Sequence, residues 1–175
     1  MPQIEMHMPK GAITPEAKAE LMDKATKLLL KMEGAPETPE SLSITWCYVN
    51  EYEPGNFTAG GKPPVKPRYR VVLTVPEGTT GFHGPSMLRM RSAMVEETTK
   101  LVLAAEGTEF SMEDASRVWV QIVEIRNGFW GGFGKIVDIM DIATFNGNER
   151  AKPPTEFGLE CRKAIEAHVR SEQSA

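Results

Sequence analysis

The feature that most constrains this chain is that it repeats itself. Ile4–Gly11 (IEMHMPKG) aligns with Val71–Gly78 (VVLTVPEG), both strand-like and both ending in Pro, a charged residue and Gly. Leu28–Gly34 (LLLKMEG) aligns with Leu101–Gly107 (LVLAAEG), and Thr45–Lys62 with Val118–Lys135. In the last pair Trp46 meets Trp119, Glu51 meets Glu124, Gly55 meets Gly128, and both segments close on Gly-Lys. The register shifts by six residues after the first block, so the second copy carries an insertion near Thr79–Gly84. Three collinear blocks with one gap mean that whatever one copy folds into, the other folds into as well.

Each copy reads strand, helix, strand, hairpin. Ile4, Met6 and Met8 alternate as on a strand with one buried face. Thr14, Pro15 and Glu16 form a helix start, and Leu21, Ala25, Leu28, Leu29 and Met32 form an apolar face that Gly34 ends. In the second copy Pro85 opens the helix, with Met87, Met90, Met94, Leu101, Val102 and Ala105 as its stripe. A helical crossover implies parallel pairing of the strands that it joins. The expected fold is therefore α/β (α+β): tandem β-α-β repeats forming a four-stranded sheet with two helices on one face. The other face carries Trp46, Tyr48, Trp119 and Ile122, and so predicts self-association. The expected units are residues 1–67, residues 68–141 and a C-terminal extension, 142–175, in one compact domain. In the extension Phe157, Cys161, Ala164, Ile165 and His168 give the face of a docked helix, with a frayed tail at Ser171–Ala175.

The composition excludes several functions. A net charge of −4 gives no footprint for nucleic acid, and no apolar run reaches the roughly 18 residues of a membrane span. His7, His83 and His168 are scattered, and no Cys/His spacing suits a metal. Lys62 and Lys135 lack the following Ser or Thr of a phosphate loop, so the glycines before them read as hairpin residues. No cofactor is expected. Two isolated cysteines and the absence of a secretory signal point to reduced thiols in the cytoplasm. What remains is Pro2. Removal of Met1 would expose a secondary amine at the start of a strand. An α-amino group titrates near 7.7–8.0, and an apolar pocket or a nearby cation lowers that value, giving a neutral base.

The string PQIEMHMPKG, the following TPEAK, the β-α-β pattern and the hairpin GNFTAGGK together resemble the tautomerase superfamily. The first unit is similar to a 4-oxalocrotonate tautomerase subunit at Pro2, His7, Gly11, Glu51, Gly55, Phe57, Gly60 and Gly61. The two-unit length and the phrase ITPEAK are closer to cis-3-chloroacrylic acid dehalogenase. The resemblance spans Pro2 to Asp141 and implies a homotrimer of fused units with Pro2 as general base in an apolar pocket. Tyr69 stands at the counterpart position in the second copy, so one proline site per chain is implied.

The family's charged partners fall here on Ala12, Trp46, Pro76, Thr79, Trp119, Gln121, Gly132 and Leu29. Other cations must then hold a carboxylate. Arg70 is the first choice for its planar fork, with Arg68 and Arg117 beside it, and with Phe57 and Trp119 as pocket walls; for Arg70 a solvated strand-end charge is the competing reading. The expected activity is a keto–enol tautomerase (isomerase) acting on small α-keto or enol carboxylic acids. Two alternatives stand beside it: a hydratase, dehalogenase or decarboxylase of the dehalogenase-like branch, and a non-catalytic oligomeric scaffold.

Overall fold

The alternation along the first strand fixes which side of the sheet faces the core. In β1 (Gln3–Pro9), Ile4, Met6 and Met8 are fully buried, while Gln3, Glu5 and His7 face the other way, half-buried. The computed structural model describes residues 2–78, 85–148 and 151–174. The insertion expected at Thr79–Gly84, and His83 within it, lies outside the described residues.

The helix signals are realised locally. The Thr14 hydroxyl accepts a hydrogen bond from the Ala17 N–H at 3.2 Å, Pro15 occupies the first turn, and α1 runs from Pro15 to Glu33. Gly34 stops it at φ +68°, a left-handed conformation that glycine adopts without strain. A short helix, α2 (Pro39–Ser43), capped by Thr38, leads into β2 (Trp46–Tyr52), which pairs with β1 in parallel. The second unit repeats the plan: β3 (Tyr69–Pro76), α3 (Pro85–Glu106), a one-turn α4 (Met112–Ala115) and β4 (Val118–Ile125), with β3 and β4 parallel.

The sheet order is β2-β1-β3-β4, with the inner strands β1 and β3 antiparallel. Two parallel units joined this way are related by a local twofold axis between the inner strands. Helices α1 and α3 pack together over one face, closing a core that includes Leu21, Leu29, Val71, Met94 and Leu103. The four-stranded sheet with its helices on one face agrees with the fold read from the repeat.

Four positions differ from the periodic reading; one of them, Ala164, is exposed because the buried side of the last helix runs through Gly158, Cys161, Ile165 and Val169. Ile122 lies on the core side with Val120, because a period of two puts Trp119, Gln121 and Val123 on the open face. Met90 is exposed, because burial along α3 begins only at Met94. On the last helix Val169, not His168, continues the buried stripe of Cys161 and Ile165.

Beyond β4 come a small hairpin of β5 (Gly131–Gly132) and β6 (Lys135–Ile136), then α5 (Ile139–Phe145) and α6 (Glu156–Gln173). Asp138 caps α5 through a reciprocal pair with Asp141, a capping box that spans the composition change after Asp141. Helices α5 and α6 pack on each other in a second cluster around Phe145, Cys161 and Ile165. No described helix is long and apolar enough to cross a membrane.

Candidate functional site

Antiparallel inner strands place the start of β1 at one end of the sheet and the start of β3 at the other. The hairpin after β4 therefore arrives at the start of β1, and the hairpin after β2 arrives at the start of β3. Each unit closes a pocket over the other unit's first strand.

The pocket at the start of β1 is a cavity of about 360 Å³. Its walls are Gln3 and Trp46 from the first unit, Trp130 and Phe133 from the second hairpin, and Ile165 and His168 from α6. Pro2, adjacent to Gln3, is buried, and its carbonyl accepts a hydrogen bond from the Trp46 N–H at 3.3 Å. Phe133 sits at φ +54°, left-handed backbone that costs a non-glycine residue on the order of 1 kcal/mol. Its ring packs on Phe145 of α5 at 6.0 Å between centroids, which holds the strained turn against the pocket.

The pocket at the start of β3 measures about 480 Å³. Arg68, Arg70, Arg117, Phe57 and Trp119 all line it, joined by His7 and Tyr52. The sheet register explains the gathering, since His7 pairs with Arg70 and Arg70 with Trp119. Pro2 is not among them. It lies five residues from His7 along β1, about 17 Å at the rise of an extended strand. Within one chain, then, the proline and the arginines proposed to serve it occupy opposite ends of the sheet.

The cations of this second pocket are unequal. Arg117 is locked: Nε donates to Asp114 at 3.0 Å, Nη1 to the Pro67 carbonyl and to Glu106 at 2.8 Å each, and Nη2 to the other Glu106 oxygen. The Tyr69 hydroxyl donates to the same carboxylate at 2.9 Å. Burial works to raise the Glu106 pKa, but hydrogen bonds from Arg117, Thr108 and Tyr69 prevail and hold it below the ordinary carboxylate value. The Glu106 hydrogen bonds also hold the Arg117 proton more tightly than usual. Arg117 is thus a buried structural cation beneath the pocket. Arg70 donates from Nε to Gln121 at 2.9 Å, while Arg68 Nε and His7 Nε2 are buried with no hydrogen-bond partner among the described residues.

Burial also displaces titratable groups outside these hydrogen-bond networks, Cys47 and Glu33 among them. The Cys47 thiol is pushed up to about 11, which removes it as a nucleophile near neutral pH, and Glu33 is pushed up to about 7.

The fold recurs in solved structures. A member of the cis-3-chloroacrylic acid dehalogenase family superposes with a TM-score of 0.65 at 14% identity, over 94% of this chain and 99% of that one. A protein solved after inactivation by 2-oxo-3-pentynoate superposes at 0.60 with 19% identity, over 77% and 94%. A fused 4-OT, solved as a symmetric trimer, superposes at 0.60 with 18% identity, over 79% and 96%. The chain has the tautomerase-superfamily fold. No family model and no curated protein matches the sequence. In this tautomerase fold the second-hairpin residue Trp130 is the repeat counterpart of Phe57, and the alignment of the copies pointed to it. Phe133, Ile165 and His168 carried no such signal, because the strained turn and the docking of α6 that bring them to Gln3 at the start of β1 are tertiary.

Proposed function

We propose that the Pro2 pocket is the catalytic site of a keto–enol tautomerase for small α-keto or enol carboxylic acids. The observation that carries this reading is the burial of Pro2 beside an aromatic-walled cavity closed by the opposite unit. With Met1 removed, Pro2 ends in a secondary amine, and burial disfavours its ammonium form relative to the free base. The lone pair takes the enol hydroxyl proton as the C=O bond forms. The ammonium returns a proton to the carbon end of the former C=C bond, so nothing is oxidised and no co-reactant is consumed. Trp46, Trp130 and Phe133 would hold the apolar body of the substrate. His168 stands at this pocket with its Nε2 3.1 Å from the Glu172 carboxylate, while Arg68 and Arg70 line the opposite pocket within one chain. The similar protein inactivated by 2-oxo-3-pentynoate, itself an α-keto acid, supports this substrate class. A homotrimer is part of the proposal, supported by the fused 4-OT trimer and by the open, aromatic sheet face.

The test is ketonisation of phenylenolpyruvate and 2-hydroxymuconate by wild type and Pro2→Ala, on protein whose intact mass lacks Met1. A loss of about 10²-fold in kcat/KM is expected for general-base removal. Equal rates, or retention of Met1 on the native protein, would overturn the assignment. The dehalogenase-like similarity over 94% of the chain favours a second reading, in which three-carbon acids are hydrated or decarboxylated. Release of halide or carbon dioxide from such acids, abolished in Pro2→Ala, would support it over tautomerisation.

A further inference from the structure

The pocket at the start of β3 has the shape of a ligand site but no amine, because Tyr69 stands where the other pocket has its proline. Its electrostatics are those of an anion site. Arg68 and Arg70 have no carboxylate partner among the described residues, whereas Arg117 below them is fully paired. Arg68 Nε and His7 Nε2 are both buried without a hydrogen-bond partner among the described residues, the Glu5 carboxylate lying 3.9 Å from His7 Nε2, and buried polar atoms of that kind are few in native proteins. An unpaired guanidinium at a cavity wall is most economically satisfied by a planar anion that accepts two parallel hydrogen bonds. Much of the remaining lining is aromatic: Tyr52 and Phe57 pack at 5.5 Å between ring centroids, and Trp119 lines the cavity with them. A cavity of about 480 Å³ is within the range that encloses a small organic molecule.

We propose that this pocket is a second, non-catalytic binding site for a small carboxylate with an aromatic or apolar body, held by Arg68 and Arg70. The duplication thus yields two pockets of divergent role: one with an amine, the other with uncompensated cations and a tyrosine that cannot act as an N-terminal base. This inference does not depend on the activity assigned to Pro2.

Three tryptophans make the two pockets separately observable, because Trp46 and Trp130 wall the Pro2 pocket and Trp119 walls this one. Phenylacetate, which cannot be ketonised, is titrated while the indole N–H resonances are followed by NMR, with assignment by single Trp→Phe substitutions. The expected result is a saturable shift of the Trp119 resonance that persists in Pro2→Ala and is absent with uncharged benzyl alcohol. Arg68→Gln combined with Arg70→Gln is expected to weaken it at least tenfold. Arg70→Gln alone, at an exposed position, is expected to weaken it at least threefold and serves if the double variant does not fold. No Trp119 response, or a response unchanged in folded arginine variants, would overturn the proposal. So would inorganic phosphate binding as tightly as phenylacetate, since the apolar walls would then contribute nothing.

Discussion

Glu33 ends α1 with Oε1 sealed from solvent and unpartnered, and burial raises its pKa to about 7. In the unfolded chain the same carboxyl titrates near the ordinary value of about 4.3. Between these values the native state holds a proton that the unfolded state has released, so the unfolded state binds fewer protons and stability falls as pH rises. The contribution is whole below about pH 4 and gone above about pH 7. Glu33→Gln is expected to match wild type at pH 4 and to exceed it at pH 8 by up to about 3 kcal/mol. Paired urea titrations at the two pH values check this, and a constant difference across the range would contradict it. Arg117 teaches the opposite lesson about a charged residue at a pocket. Its donors are spent on Glu106, Asp114 and Pro67, and what it supplies is the rigid floor on which Tyr69 and the start of β3 rest.

At the scale of elements, the C-terminal extension does more than cap the chain. Helix α6 reaches the Pro2 pocket only because it lies tight against α5, and Gly158 permits that approach. A Cβ there would meet the Thr144 Cβ at 2.5 Å, the Thr155 hydroxyl at 2.6 Å and the Asp141 carbonyl at 2.9 Å. Alanine in a helix interior normally gains up to about 1 kcal/mol over glycine. Here overpacking against backbone and the capping threonine outweighs that gain. Gly158→Ala is expected to lower stability by about 2 kcal/mol and Tm by about 4–8 °C, read by thermal unfolding. A rise in Tm would mean that the α5–α6 contact yields without cost.

The whole molecule leaves one face of its sheet uncovered, with Trp46 54%, Tyr48 43% and Trp119 71% exposed. Burying rings of this size is worth about 1.5–3 kcal/mol each, a strong drive to associate. Native mass spectrometry at micromolar concentration is expected to give three times the 19.4 kDa chain mass. Trp46→Glu combined with Tyr48→Glu is expected to shift the population to monomer, because charges would enter a contact built for rings. A wild-type monomer at that concentration would contradict the proposed trimer.

The sequence by itself determined the repeat, and with it the two β-α-β units, the parallel pairs and the side of β1 that faces the core. It could do so because periodicity and caps such as Thr14 and Gly34 act over a few residues, where local sterics and hydrogen bonding decide. It also singled out Pro2, Arg68, Arg70, Arg117, Phe57 and Trp119. Which of these meet was decided only by tertiary structure. The antiparallel joining of β1 to β3 turns the two strand starts to opposite ends of the sheet, which parts Pro2 from the arginines by about 17 Å along β1. The hydrogen bond from Arg117 to the Pro67 carbonyl and the arrival of His168 beside Gln3 likewise depend on contacts between segments far apart in the chain. Composition and spacing place residues on faces; the direction in which two inner strands pair decides which face-mates share a pocket.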